Sequence, residues 1–406
     1  MASAAAGAGP GLAAQTSGGG GGGANPFQVA TNLYAEKNLQ GSVSSQLLTG
    51  SAITNGGSVN AGQFLRALRL MYRTVTAGSG GTVFGDAPWS VFSQLDLTNV
   101  DGSEILYNMG GYAYYLGEKY FRPWLCDPGR RYDYQVASAT SGGSMTLSLM
   151  PEIRFTAGVL ANTDTRSQYR FDYALNGGTL WTAVTTYPTV AVIPYMDAWA
   201  QPDAMDLQGT PNQPLPPGVN LQVKRRHQIF TLNGIGSDNT LLSTLTGNAI
   251  RGMILVTRNG SAGGPRVDGF VDPFYWYQDN RSLGRLNPDM IRQWADDFYD
   301  MFNISGQSNA QTPGNPSTTS NNATDGLSGN ALYSGAGAMD AGVYVFPRWI
   351  EPGSMYGQGW LYTANSTKLQ FESATSSNVT TSPGTCELIT DEVYPVGPVD
   401  PTLVDI

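Results

Sequence analysis

The stretch GSMTLSLMPEIRFTAGVLANTDTRSQYRFDYAL, residues 143–175, carries the reading of the fold. In its first part Met145, Leu147, Leu149, Ile153 and Phe155 alternate with Thr146, Ser148, Glu152 and Arg154. In its second part Tyr169, Phe171, Tyr173 and Leu175 alternate with Gln168, Arg170, Asp172 and Ala174. Successive side chains of a strand point to opposite faces, so a period of two predicts strands with one buried and one wetter face. The connection over 156–166 is too long for a tight hairpin, and Gly158, Asn162 and Asp164 are turn formers within it. Two long amphipathic strands joined by a polar loop are a building block of a β-sandwich.

The whole chain has the composition such a fold needs. Its 406 residues exceed what one hydrophobic core usually serves, so two domains are expected. Hydrophobic residues at 41% supply sizeable cores, and charged residues at 13% are about half the typical share. With 51 Gly and 24 Pro, the chain favours turn-rich β structure over helix. A net charge of −9 argues against a surface built for nucleic acid. The tight basic clusters, Arg130-Arg131 and Lys224-Arg225-Arg226, read as solvated strand ends or interface ion pairs. Cys126 and Cys386 lie far apart with no metal-type spacing, and two buried free thiols are the default. No run of about 18 apolar residues reads as a membrane span, and no secretory signal is visible at the N-terminus.

Along the chain, residues 1–26 are nearly all Ala, Gly, Ser and Pro, too apolar-poor to order alone. Phe27, Val29, Leu33, Tyr34, Lys37 and Leu39 fit a short amphipathic helix. Residues 63–76 match a helical and a strand template equally. Residues 90–107 read as two strands around Asp101-Gly102, a dipeptide suited to a type I′ turn. A helix is expected over 109–120 despite Gly110 and Gly111, and an apolar strand over 189–193, ending at Pro194. Five prolines between 202 and 217 mark an extended linker. Beyond it, 223–232, 250–258 and 274–277 read as strands, with 253–256 suited to a fully buried one. Asn287 is an N-cap and Pro288 a first helical residue, opening a helix whose stripe is Met290, Ile291, Trp294, Phe298, Met301 and Phe302. Residues 303–341 are a low-complexity surface loop. Strands resume at 343–348, 360–362, 368–372 and 385–389, and the tail after Tyr394 runs extended through Pro395, Pro398 and Pro401. No repeat is visible in the letters, only a similarity of plan between the halves.

The chemistry of a catalytic site is absent from the pattern. His227 is the single histidine, read as a partly exposed surface residue on a strand, which removes most His-based triads and zinc sites. No phosphate-binding glycine loop is present. Asp296, Asp297 and Asp300 read as a solvated helix face. Trp89, Trp124, Trp181, Trp199, Trp276 and Trp360 read as core and interface packing before sugar platforms. No catalytic, cofactor-binding or metal residue is assigned, and no cofactor is expected.

The order of these segments resembles the major capsid proteins of tectiviruses, tailless phages with an internal membrane. The likeness is carried by the strand–loop–strand of 144–175, including Val159-Leu160-Ala161-Asn162. It continues with an apolar strand and Asn-Gly turn leading to Asn280-Arg281, Leu286 and the Trp294 helix, then Gly342-Val343-Tyr344-Val345. The Gly-rich first 26 residues and the length of the 303–341 loop depart from that pattern. The resemblance implies an all-β double jelly roll, two eight-stranded sandwiches side by side with short inserted helices. It divides the chain into an N-terminal arm with a short helix (1–59), a first roll (60–200) and a linker (201–220). A second roll (221–396) and a C-terminal tail (397–406) complete it. The strand at 63–76 then enters the first roll. It further implies a non-enzymatic capsid protein of the virion shell, assembled in the host cytoplasm. It also implies homotrimers that form pseudo-hexagonal capsomers and tile an icosahedral shell around membrane and genome. The implied partners are further copies of itself, minor capsid, penton and membrane-associated proteins, and the inner membrane through the N-terminal arm, with no sequence-specific nucleic acid. The competing readings are a β-sandwich lectin or viral spike that binds glycans, and a carbohydrate-active enzyme with an unrecognised carboxylate pair.

Overall fold

The computed structural model describes residues 28–33, 46–59, 64–83, 86, 88–122, 135–136, 143–149, 160, 168–200, 221–261, 264–291, 342–347 and 360–395. In the first half the strands are β1 (Gln28–Leu33), β2 (Gln46–Leu47), β3 (Ile53–Val59), β4 (Phe64–Thr76), β5 (Ser79–Val83), β6 (Phe92–Thr98), β7 (Glu104–Met109), β8 (Gln135–Val136), β9 (Gly143–Leu149), β10 (Tyr169–Leu175), β11 (Trp181–Thr186) and β12 (Thr189–Ala200). One α-helix, α1 (Gly111–Phe121), lies between β7 and β8. The second half supplies β13 (Leu221–Leu232), β14 (Asp238–Ser243), β15 (Ala249–Arg258), β16 (Phe274–Gln278), β17 (Arg281–Leu286), β18 (Val343–Pro347), β19 (Leu361–Tyr362), β20 (Leu369–Ala374) and β21 (Gly384–Pro395).

Both halves have the same wiring. Without the accessory strands β2, β5, β8 and β11, the first half has eight strands. Counted in chain order they form one sheet in the order 1-8-3-6 (β1-β12-β4-β9) and another in the order 2-7-4-5 (β3-β10-β6-β7). Without β19, the second half repeats this as β13-β21-β15-β18 and β14-β20-β16-β17. An eight-stranded, two-sheet sandwich wired in this way is a jelly roll. The repeat invisible in the letters is therefore present in the topology.

β9 and β10, the two strands of the 143–175 stretch, do not form a hairpin. β9 pairs with β4 in one sheet and β10 with β6 and β3 in the other, so the connection crosses the sandwich. Their alternation matches burial: Met145, Leu147, Leu149, Tyr169, Phe171 and Tyr173 all enter the first core. Ile153, Phe155 and most of the connecting loop lie outside the described residues.

The second roll has its own core, built around Phe270, Phe274, Trp276, Phe346 and Phe371. Fully burying one such side chain is worth about 1.5–3 kcal/mol. Its 1-8-3-6 sheet is covered on both faces. Met253, Leu255, Tyr344, Phe346 and Leu388 face the second core, whereas Ile254, Val256, Val343, Val345 and Ile389 join the first. A strand buried on both sides needs an unbroken apolar run, which explains the expected buried strand at 253–256. The 2-7-4-5 sheet of the first roll runs into this sheet, where β7 lies parallel to β13 with Leu106 opposite Arg225.

Several expectations need correction. The described part of the helix placed at 27–39 is strand β1, which closes the first roll by pairing with β12 from Gln28↔Ala200 to Leu33↔Tyr195. Together with β3, this puts two of the roll's strands before residue 60, inside the segment read as an arm. Residues 64–76 are strand, and form the third strand of the roll, not its entrance. β12 runs on through Pro194 to Ala200. Its partners on one edge are β2 at Thr189–Val190 and β1 from Tyr195 onward, so the proline falls in the gap between them, where a missing donor is tolerated. At 99–103 only Gly102 has a positive φ (83°), and Gly102 N–H donates to the Asn99 carbonyl. The turn is therefore of type I followed by a left-handed glycine, and not I′. Asn287 does cap a helix: its Oδ1 accepts from Asp289 N–H at 2.8 Å, while residues 292–302 lie outside the described part. The 201–220 linker, the 303–341 loop and the tail beyond 395 also lie outside it.

Gly111, the first residue of α1, is there for a steric reason, whereas a Cβ at Gly110 would meet nothing within 4 Å. A Cβ at Gly111 would sit 2.2 Å from the Trp89 carbonyl oxygen and 2.9 Å from the Phe92 side chain. Gly111→Ala should therefore lower stability in urea or thermal unfolding by about 1–3 kcal/mol, the usual cost of overpacking. Gly102→Ala, which meets no atom within 4 Å, reports only the strain of the turn.

Candidate functional site: the buried junction of the two rolls

Helix α1 is buried along its whole length, a result its weak amphipathicity does not suggest. It lies between the rolls, and two networks of buried charge reach it from the second roll.

The first network centres on Asp391 of β21. β21 pairs with β13 on one side and β15 on the other, and this places Arg225 directly opposite Asp391. On the other side the register slips between Ile250 and Gly252, so Arg251 is the extra residue of a β-bulge. The bulge lets Ile250 and Met253 both face the second core while Arg251 turns to the junction. Asp391 Oδ1 accepts from Arg225 Nε at 3.1 Å, and Oδ2 accepts from Arg251 Nε and Nη2 at 2.9 and 2.6 Å. Arg225 Nη1 also donates to Glu118 Oε1 on α1 at 2.9 Å, and its guanidinium lies 4.7 Å from the Tyr114 ring centroid. Arg251 Nη2 donates to the Phe121 carbonyl at the end of the helix. Gly117 leaves room for this: a Cβ there would meet Arg225 Nη1 at 3.1 Å.

The second network runs through Glu387 of the same strand. Arg258 on β15 donates to Glu387 and pairs with Asp86 of the first roll, and Arg266 Nε donates to Asp86 at 2.9 Å. His227 Nε2 lies 3.1 Å from Glu387 Oε2. Tyr112 of α1 lies under both Arg258 and Arg266, at 5.6 and 5.0 Å. A third buried carboxylate of β21, Glu392, accepts from Arg226, Asn248 and Thr390.

These environments fix the charge states. Burial pushes the Glu387 carboxyl up, but Arg258 and His227 beside it more than reverse this and hold it at about 2. Burial likewise raises Asp391, and Arg251, Arg225 and Arg122 together hold it below the ordinary aspartate range. Burial pushes the Tyr114 hydroxyl up, with Glu118 adding to the effect, so it stays neutral.

The residues singled out from sequence fall as follows. The Lys224-Arg225-Arg226 cluster is an ion-pair site, through Arg225 and Arg226. His227 is held against Glu387 and largely enclosed, not a surface residue. Trp89, Trp181 and Trp276 are buried, with Trp89 stacked on Tyr115 at 4.6 Å, so none of these three offers a sugar platform. Cys386 is a buried free thiol. Arg130, Arg131, Trp124, Cys126 and the Asp296–Asp300 face lie outside the described residues. Sequence reading missed Asp391, Glu387, Glu118 and Arg251. Among the described residues no group of three or more His, Cys, Asp or Glu could hold a metal, and no helix is long and apolar enough to cross a membrane.

Two rolls of one wiring, locked through a buried helix, define the double jelly-roll class. No family model matches the chain, and no curated protein matches it. Solved structures do. The chain aligns with the STIV MCP at a TM-score of 0.53 and 11% identity, covering 91% of this chain and 97% of that one. Against the PBCV-1 virus capsid the TM-score is 0.57 at 9% identity, covering 91% and 94%. Against the Faustovirus major capsid protein it is 0.50 at 9% identity, covering 93% and 91%. The fold is the double jelly roll of these major capsid proteins, and the expected resemblance holds at the level of the fold.

The junction should be sensitive to acid. Glu387 and Asp391 have folded-state values below their unfolded ones, so their stabilisation is complete above about pH 4.5 and is lost as pH falls toward 2. For Glu387 alone, displacement from 4.5 to about 2 corresponds to on the order of 3 kcal/mol. The thermal midpoint should fall steeply across this window, and Glu387→Gln should flatten that part of the profile. Asp391→Ala, which strands two buried guanidiniums, should cost about 3–5 kcal/mol at neutral pH by chemical denaturation.

Proposed function

We propose that this protein is a major capsid protein that assembles as a homotrimer into the icosahedral shell of a tailless, membrane-containing phage. The observation that carries the reading is the repeated roll wiring, matched over 91% of the chain by the STIV and PBCV-1 capsid structures. The role is architectural: broad faces for neighbours rather than a cleft for substrate.

The way the rolls join supports a ring. Within the chain, the 2-7-4-5 side of the first roll meets the 1-8-3-6 side of the second, a contact between unlike surfaces. Repeated between chains, such a head-to-tail contact closes into a ring when its rotation returns to the starting subunit. The faces left for it are complementary in character. On the first roll, Met71 projects outward from β4 with Ile193 of β12 beside it, and Arg69 stands next to Tyr195. On the second roll, Leu242, Gln370 and Tyr277 form one outward row and Thr240, Glu372, Tyr275 and Arg285 the next. Leu242 is 48% exposed, and Tyr275 and Tyr277 stack at 6.4 Å. Three two-roll chains make a six-sided tile. In this reading the N-terminal segment faces the interior and the membrane, residues 303–341 face outward, and minor and penton proteins fill what the tiles leave open. Residues 201–220 link the rolls, and assembly takes place in the host cytoplasm.

Light scattering on the purified chain should give about 130 kDa, three times the 43.2 kDa chain; a stable monomer would sink the proposal. Tyr277→Asp, on the outward face of the second roll, should shift the mass to that of a monomer while leaving the unfolding profile of the rolls in place.

A further inference from the structure

The charges at the junction do not balance. Among the described residues, the ion pairs that connect Arg122, Arg225 and Arg251 run through Glu118 and Asp391, three guanidiniums against two carboxylates. Arg251 is satisfied by Asp391 and the Phe121 carbonyl, and Arg225 bridges Asp391 and Glu118. Arg122 stands at the end of the chain of pairs. Its Nη1 lies 3.4 Å from Glu118 Oε1, its side chain is 1% exposed, and neither Nε nor Nη1 makes a hydrogen bond. Leaving such donors buried without a hydrogen-bond acceptor is costly, so the site calls for one.

Arg122 and Arg225 line the same small cavity, whose remaining walls are Leu97, Ile105, Leu106, Tyr114, Leu149 and Val223. The space available to the centre of a water-sized body is about 10 Å³, room for a single small occupant. A water there could accept from the guanidiniums, but its own hydrogens would face mostly aliphatic walls, and it would leave the excess charge in place. An anion needs donors only. The lining supplies two guanidiniums and no carboxylate; Glu118, whose Oε2 is also without a hydrogen bond, is not part of it.

We infer that this cavity is a binding site for a small monovalent anion of halide size, held between Arg122 and Arg225 where the two rolls meet. The anion neutralises the extra guanidinium and ties the end of α1 to β13. The site depends on the fold alone and stands whether or not the capsid reading does.

The test is thermal unfolding of the full chain at fixed ionic strength, with sodium gluconate replaced stepwise by sodium chloride or bromide. The expected result is a saturable rise of the midpoint by roughly 2–4 °C, absent in Arg122→Gln. Crystals grown in bromide should show an anomalous peak within hydrogen-bond distance of the Arg122 guanidinium, a readout that holds even if the variant does not fold. A midpoint indifferent to halide overturns the inference, as does a water in the cavity or bromide found only at surface positions, an adventitious ion only.

Discussion

Asp391 is the contact on which the rest of this structure turns. It has no solvent exposure, yet it stays ionised because two guanidiniums from the strands on either side of it close around its oxygens. Those arginines then reach across to α1, so one carboxylate connects β13, β15, β21 and the helix of the other roll. Buried ion pairs are weak sources of net stability, because desolvation offsets much of the attraction. What they provide here is geometry. An apolar surface between two sandwiches can slide by a residue at little cost. Six buried or nearly buried charges placed on both sides of the junction, from Glu118 and Asp86 to Arg225, Arg251, Arg258 and Arg266, permit one seating only.

The two networks divide the helix between them. Tyr112 is covered by Arg258 and Arg266, Tyr114 by Arg225, and the helix end by Arg251. Around these polar contacts lies apolar packing from both rolls, since Ile254, Val256, Val343 and Ile389 belong to the core of the roll opposite their own. The rolls therefore share a core as well as a charge network. Such a shared core makes the two rolls one rigid unit.

How much of this could be read from the letters depends on the range of the interaction. The period-two runs at 145–149 and 169–175 announced strands because alternation is a local property of the pleat, and the run at 253–256 announced a strand buried on both faces for the same reason. β1 was misread because Gln28–Leu33 is short and polar, and its strand state is imposed by pairing with β12, some 170 positions later in the chain. The jelly-roll repeat was hidden because wiring is a matter of which strands meet, and no alternation encodes that. The junction was hidden for the same reason: Arg225 and Asp391 are 166 positions apart, Arg251 and Asp391 140. A signal did exist. Lys224-Arg225-Arg226 and Asp391-Glu392 are runs of opposite charge set within two strand patterns, and such runs are candidates for pairing with each other.

The carboxylates that the second roll brings to the junction, Glu387, Asp391 and Glu392, sit on β21, the last strand of that roll to be synthesised. Until that strand emerges, Arg225, Arg251 and Arg258 have no counter-charge from their own sheet, and the surface that seats α1 is incomplete. A chain lacking residues 384–395 thus carries an electrostatic defect where one that includes them carries a lock. The seating of α1 therefore depends on the strand that comes last in the roll, although that strand pairs with the first.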